Sequence, residues 1–69
     1  MEKKMLIEGM SCGHCSARVE KALNELEGVS AKVDLEKKTA FVTLTQDVSD
    51  EVLTKAVTDA GYEVVSIAN

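Results

Sequence analysis

The 69-residue chain has no proline and no tryptophan, and it has one tyrosine and one phenylalanine. Proteins that bind single-stranded nucleic acids stack bases on aromatic side chains, so an aromatic content of 3% leaves almost nothing to build such a surface from. The formal net charge of -4 also disfavours binding to a phosphate backbone. Nucleic acid is therefore a poor candidate for a ligand.

Long apolar stretches are also missing. The longest uninterrupted apolar runs span about three residues, whereas a helix that crosses a bilayer needs about 20. The N-terminal residues include two lysines but no apolar segment of the kind found in signal peptides. With Met1 as the native start, we expect a cytoplasmic protein. The short chain predicts one small domain, residues 1–69.

Hydrophobic spacing predicts six elements in the order β-α-β-β-α-β. Apolar residues alternate with polar ones in the segments assigned to strands, and they recur every three or four residues in the segments assigned to helices. Ser49 is a suitable N-cap for the second helix, while Gly28 and Gly61 follow the last periodic residue of each helix. The predicted strands cover residues 3–8, 29–35, 40–45 and 62–67, and the helices cover about 13–27 and 50–60.

This order predicts an α+β protein with a ferredoxin-like arrangement. In that βαββαβ sandwich a four-stranded antiparallel sheet carries both helices on one face. The other face of the sheet remains open to solvent, which agrees with the strict alternation of apolar and polar residues in the two middle strands.

Cys12 and Cys15 are the two cysteines of the chain, and they lie in the predicted loop between the first strand and the first helix. The positive end of the helix dipole favours a thiolate at Cys15, so we expect its pKa to lie below the ordinary value of about 8.5. Arg18 and Lys21 lie nearby and add positive charge. A pair of thiolates is a soft ligand set and favours Cu(I) among the metals that a cell handles.

A CxxC pair alone leaves other functions open. A structural zinc site usually requires a second pair of ligands, which this sequence lacks. A thiol-disulfide oxidoreductase of the thioredoxin type would have a longer chain and commonly a cis-proline beside the cysteines. The remaining alternative is that the two cysteines are incidental thiols with no shared function.

The segment Gly9-Met10-Ser11-Cys12-Gly13-His14-Cys15 resembles the GMxCxxC signature of heavy-metal-associated domains. The histidine before the second cysteine is similar to the form found in bacterial copper chaperones of the Atx-like type. The similarity extends over nearly the whole chain and includes Gly28-Val29 and Gly61-Tyr62. The resemblance implies a βαββαβ fold and transport of Cu(I) to the metal-binding domains or entry site of a copper-transporting P-type ATPase.

The resemblance also implies roles for individual residues. Cys12 and Cys15 match the two metal ligands, and Met10 matches a methionine that packs beneath the loop. His14 is a candidate auxiliary ligand, although its position between Gly13 and Cys15 predicts that it points to solvent. Ser11 and Tyr62 match positions close to the sulfur atoms. Zinc- and cadmium-exporting relatives commonly carry aspartate at the position of Ser11, and aspartate is an oxygen ligand suited to a divalent ion. The neutral hydroxyl of Ser11 therefore favours Cu(I).

The sequence therefore predicts a metal carrier and not an enzyme. A two-coordinate copper site is open to a third thiolate, so we also expect copper-bridged homodimers. The sequence leaves two other functions open. The first is a thiol-disulfide oxidoreductase, and the second is a carrier or regulatory domain for another soft metal, namely mercury, zinc or cadmium.

Overall fold

Six regular elements follow one another in the computed structural model, which describes residues 1–11 and 13–68. Their order confirms the predicted β-α-β-β-α-β sequence, and each strand boundary lies within one residue of the predicted one. The elements are β1 (Glu2–Glu8), α1 (Gly13–Asn24), β2 (Val29–Asp34), β3 (Thr39–Leu44), α2 (Asp50–Asp59) and β4 (Glu63–Ala68).

The four strands form one sheet in the order β2-β3-β1-β4, and neighbouring strands are antiparallel. In β1 every second residue is buried, so one face of the sheet carries the core and the other faces solvent. The helices α1 and α2 pack on the buried face with Val19, Leu23, Leu53 and Val57. The fold is therefore the predicted α+β ferredoxin-like sandwich.

The core is a single cluster of buried apolar side chains that extends up to the loop between β1 and α1. Met10 belongs to this cluster although it lies in the loop itself. The other members are Met5, Ile7, Val19, Leu23, Val29, Ala31, Ala40, Val42, Leu44, Leu53 and Val57. The side chain of Met10 thus anchors the loop in the core.

The first helix is shorter than predicted. It was expected to reach about Glu27, but α1 ends at Asn24. The backbone N–H of Leu26 bonds to the carbonyl of Leu23 at 3.1 Å, and the N–H of Val29 bonds to the carbonyl of Leu26 at 3.2 Å. Bonds over three residues tighten the chain beyond the α-helix. Leu26 still packs against the core, so its apolar spacing extended the helical pattern past the true end.

Side chains of α1 bind the outer edge of β2. The Asn24 amide accepts a hydrogen bond from the Ala31 N–H at 2.7 Å and donates one to the Ala31 carbonyl at 3.1 Å. The Glu20 carboxylate accepts from the Val33 N–H at 3.1 Å. Gly28 allows the turn that brings the strand alongside, with a φ of 79°. An exposed strand edge is thereby covered by its own helix.

The two described helices are 12 and 10 residues long, and neither is long and apolar enough to cross a membrane.

Candidate metal centre

The loop between β1 and α1 is held in place by Gly9 and Met10. Gly9 has a φ of 96°, a conformation that L side chains rarely adopt. A Cβ atom at this position would lie 3.4 Å from Cδ1 of Tyr62, so the tyrosine ring packs closely against the glycine. Met10 follows at once and is 5% exposed. The loop is therefore fixed on one side by an aromatic ring and on the other by the core.

Cys15 lies in the first turn of α1 and is half-buried. Its side chain packs at the edge of the core, and its sulfur lies 3.9 Å from the Ser11 hydroxyl oxygen. The unpaired N–H groups at the start of a helix stabilise negative charge there. The position suits a thiolate that remains open to an approaching molecule. Cys12, the other predicted ligand, lies outside the described residues.

Tyr62 brings a second hydroxyl to Cys15 from the turn between α2 and β4. Its backbone N–H donates to the carbonyl of Val57 at 3.2 Å, which fixes the turn. A hydrogen bond with Cys15 raises the pKa of the Tyr62 phenol above 10.0, and partial burial and the charge of the cysteine act in the same direction. The Arg18 guanidinium opposes this effect through its positive charge and its own hydrogen bond to the phenol. Cys15 and Arg18 thus act in opposite directions on the ionisation of the phenol.

The structure brings together four of the six residues singled out in the sequence. Met10 lies beneath the loop, while the hydroxyls of Ser11 and Tyr62 lie beside Cys15. His14 is exposed at the start of α1.

The effect of Arg18 on the Tyr62 phenol was not predicted. From the sequence, Arg18 was expected only as a nearby positive charge, on the helix face opposite the apolar one. The spacing of three residues between Cys15 and Arg18 could have indicated that one partner reaches both side chains. It could not have shown that this partner comes from residue 62, because the pairing depends on how α2 ends.

Among residues 1–11 and 13–68, no group of three or more histidine, cysteine, aspartate and glutamate side chains could hold a metal ion. A pair of thiolates in this chain must combine Cys15 with Cys12, since the sequence contains two cysteines. The described part of the site therefore offers one soft sulfur beside two neutral hydroxyls and one cation.

Comparison with known proteins defines the class to which this site belongs. Residues 4–63 match the family model of the heavy-metal-associated domain. The match covers most of the chain, and the protein belongs to that family.

Similar individual proteins are described more specifically than the family as a whole. The copper chaperone CopZ of Staphylococcus haemolyticus is 46% identical over 66 residues, which cover 93% of this chain and 97% of the relative. A solved structure described as the CopZ metallochaperone has a TM-score of 0.88 at 42% identity and covers 94% of this chain and 100% of its own. The N-terminal domain of a potential copper-translocating P-type ATPase from Bacillus subtilis, solved in the Cu(I)-loaded state, has a TM-score of 0.80 at 37% identity. That match covers 97% of this chain and 84% of the ATPase domain.

Proposed function

We propose that the protein is a cytoplasmic copper chaperone that binds Cu(I) through the thiolates of Cys12 and Cys15. The observation that carries this proposal is the position of the Cys15 sulfur, half-buried at the start of a helix and beside neutral hydroxyl groups. Thiolates select soft metal ions, and Cu(I) is satisfied by two sulfur ligands. The similarity to copper chaperones supports the same assignment.

The neighbours of the sulfur favour a monovalent ion. Two thiolates and one Cu(I) leave a net charge of -1, and the helix N-terminus together with Arg18 stabilises that charge. Zn²⁺ prefers four ligands in a tetrahedral arrangement, and a carboxylate beside the sulfurs would bring the site closer to it. Ser11 offers a neutral hydroxyl 3.9 Å from the Cys15 sulfur instead.

Cu(I) can be delivered to a partner because two thiolates leave its ligand shell incomplete. A thiolate of a partner protein can add to two-coordinate copper and form a three-coordinate intermediate. One of the original thiolates then leaves, so the ion passes to the partner protein without entering water. The half-buried position of Cys15 leaves room for such an approach. The partner that we propose is a metal-binding domain or entry site of a copper-transporting P-type ATPase, because an ATPase domain shares this fold.

The remaining site residues have supporting roles in this proposal. Met10 packs under the loop, in agreement with its 5% exposure, and does not bind copper. His14 lies at the surface and is not a ligand in the monomer. The open coordination position also allows two copies of the chain to share copper.

The metal content of the protein tests this proposal. The chain is purified without oxygen from copper-supplemented cells, and its copper, zinc and mercury are measured together with its free thiols. We expect one copper per monomer, or a fixed lower ratio in a copper-bridged dimer. Protein that carries zinc or mercury in place of copper would show a different soft-metal carrier. Metal-free protein that reduces substrate disulfides catalytically would show an oxidoreductase.

A further inference from the structure

The solvent-facing side of the sheet, which we call the open face, carries two large apolar side chains next to each other. Leu6 is 39% exposed and Phe41 is 38% exposed. Leu6 pairs with Thr39, two residues before Phe41, so Leu6 and Phe41 are diagonal neighbours on this face. Both described helices pack on the opposite face. Adjoining exposed apolar side chains with charged groups around them are typical of an interaction surface.

A row of positive charge crosses the open face two residues before Leu6. Lys4 of β1 pairs with Phe41 of β3, which in turn pairs with Lys32 of β2. All three side chains are exposed, and Lys4 Nζ lies 6.0 Å from the centre of the Phe41 ring. The ring therefore lies between two lysines, and its attraction for the Lys4 ammonium holds that charge over the sheet.

A pair of negative charges lies on the other side of Leu6. Glu8, two residues further along β1, pairs with Glu63 of β4, so two exposed glutamates stand directly opposite each other. Like charges in this arrangement destabilise a sheet. Within residues 1–11 and 13–68 the salt bridge is that of Lys3 and Asp50, so neither glutamate is neutralised by a neighbour. A cation brought to Glu8 from outside would relieve the repulsion.

Two copies of this face can meet around a two-fold axis in two simple ways. If the axis runs along the strands, each row meets itself, so lysines oppose lysines and glutamates oppose glutamates. If the axis runs across the strands at Leu6, β1 of one copy lies antiparallel to β1 of the other. Lys4 of each copy then faces Glu8 of the other, and Leu6 faces Leu6. The charges of the open face thus select the antiparallel arrangement.

We propose that the open face is a self-association surface on which a second copy of the chain packs with antiparallel strands. Sheets packed face to face lie about 10 Å apart, a distance across which the long side chains of lysine and glutamate can meet. Two symmetric pairs of Lys4 with Glu8 form, and each offsets the repulsion between Glu8 and Glu63. The two apolar side chains are covered at the same time.

This dimer differs from a copper-bridged one. The loop between β1 and α1 follows Glu8, so the antiparallel arrangement places the loops of the two copies at opposite ends of the dimer. A shared copper ion would instead require the two loops to meet. The proposal therefore does not depend on the proposed function.

Sedimentation equilibrium of the metal-free protein tests the proposal. A reductant and a copper chelator are present, so that neither disulfides nor copper can link two copies. At low salt we expect a monomer–dimer equilibrium with a Kd of about 0.01–1 mM, as for a small interface. The Kd should rise about threefold or more in roughly 0.5 M salt, because screening weakens exposed ion pairs.

Charge reversal identifies the pairing residues. Lys4→Glu and Glu8→Lys should each raise the Kd about tenfold, because like charges then meet across the interface. The double variant has the net charge of the unmodified protein, and its Kd should fall below that of either single variant. Glu25→Lys is the matched control, since it changes the net charge as Glu8→Lys does but lies on the helical side of the molecule. It should not raise the Kd.

Three outcomes would overturn the proposal. The first is a protein that stays monomeric at low salt and about 1 mM, where the expected Kd requires dimers. The second is a dimer that responds to neither Lys4→Glu nor Glu8→Lys, because the copies would then pair elsewhere, for example along the outer edge of β4. The third is a lower Kd for Glu8→Lys, which would mean that net charge alone governs association. Circular dichroism confirms that each variant is folded. Since no copper is present, failure here is distinct from failure of the copper assignment.

Discussion

At the scale of the residue, the effect of Cys15 on the Tyr62 phenol can be measured as a change in the phenol's pKa. Contact with Cys15 raises the pKa of Tyr62, so the phenol ionises later in the folded protein than in the unfolded chain. This contribution to stability is fully present below pH 10.0, the ordinary pKa of the phenol, and is lost as the pH rises through the raised value. Because the chain has one tyrosine and no tryptophan, tyrosinate absorbance reports on Tyr62 alone. We predict a titration midpoint above 10.0 in the metal-free protein.

Two substitutions check the cause of this shift. Cys15→Ser should lower the midpoint, since the sulfur is the main source of the increase. Arg18→Met should raise it further, since the guanidinium acts in the opposite direction. A midpoint that does not respond to Cys15→Ser would mean that the phenol does not contact the sulfur.

Ser11 is the residue on which metal preference can be tested. Its hydroxyl lies 3.9 Å from the Cys15 sulfur, so a carboxylate at this position would come close to a bound ion. We predict that Ser11→Asp raises the affinity for Zn²⁺ and weakens the retention of Cu(I), because an oxygen anion suits the divalent ion. Parallel competition titrations of the two metals measure both effects.

The matched control for this test is Ser11→Asn, which is similar in size to aspartate but uncharged. It should leave the ratio of the two affinities near that of the unmodified protein. Equal affinity of the unmodified protein for Zn²⁺ and Cu(I) would remove the physical basis of the copper preference. The same would follow if Ser11→Asp changed neither affinity.

Sequence could indicate the chemistry of the site but not its contacts. Cys12 and Cys15 stand out by residue type and spacing, and the start of α1 follows from the periodicity after Cys15. The packing of Tyr62 on Gly9 depends on the turn that follows α2, which joins residues more than 50 positions apart in sequence. Such a contact has no local pattern, because the sheet and both helices must be placed before it exists.

At the scale of the element, α1 and β2 are joined by a side chain at the helix end. Asn24 makes two hydrogen bonds to the backbone of Ala31, at 2.7 and 3.1 Å. We predict that Asn24→Ala lowers the free energy of unfolding by about 1–2 kcal/mol, because two partly buried backbone groups lose their partner. Urea denaturation measures the change. The neighbouring Glu25 is exposed, and Glu25→Ala should stay within about 0.5 kcal/mol. Equal effects of the two substitutions would contradict this role for Asn24.

The elements themselves were predictable because each buries one face. Alternation in the strands and spacing of three or four in the helices both follow from the presence of a core on one side. The end of α1 was not predictable in the same way. Leu26 continues the apolar spacing and packs on the core, but it does so from a turn with bonds over three residues. Periodicity detects which side chains are buried, and it does not detect how the backbone between them is bonded.

At the scale of the whole molecule, Lys3 ties the first strand to the second helix. It lies on the core face of β1, is 9% exposed, and pairs with Asp50 in the first turn of α2. We predict that Asp50→Asn lowers the free energy of unfolding by about 1–2 kcal/mol, because a mostly buried ammonium loses its counter-charge. Lys3→Met should be neutral or stabilising, because an apolar side chain of similar length suits the core face. Thermal or urea denaturation measures both.

A control separates this pair from the general effect of charge. Asp47 is exposed and precedes α2, and Asp47→Asn removes the same charge without affecting Lys3. Its effect should be within about 0.5 kcal/mol. If Lys3→Met destabilises the protein as strongly as Asp50→Asn, the attraction between the two charges outweighs the cost of burying them, contrary to this account.

The Lys3–Asp50 ion pair and the loop between β1 and α1 lie at opposite ends of β1. Lys3 is near the start of the strand, and the loop follows its last residue, Glu8, about 17 Å away along an extended chain. Substitutions in the loop should therefore change metal binding with little effect on stability, and substitutions at the ion pair should do the reverse. This separation lets the site be tested without unfolding the protein.

The retention of Cu(I) against a competing chelator tests the two-thiolate site most directly. We predict that Cys12→Ser and Cys15→Ser each abolish tight retention, since one thiolate cannot hold the ion, while His14→Ala stays near the unmodified protein. A cysteine variant that retains copper like the unmodified protein would contradict the two-thiolate site. A loss of roughly 2 kcal/mol, or about thirtyfold in affinity, for His14→Ala would likewise contradict it by making the histidine a ligand.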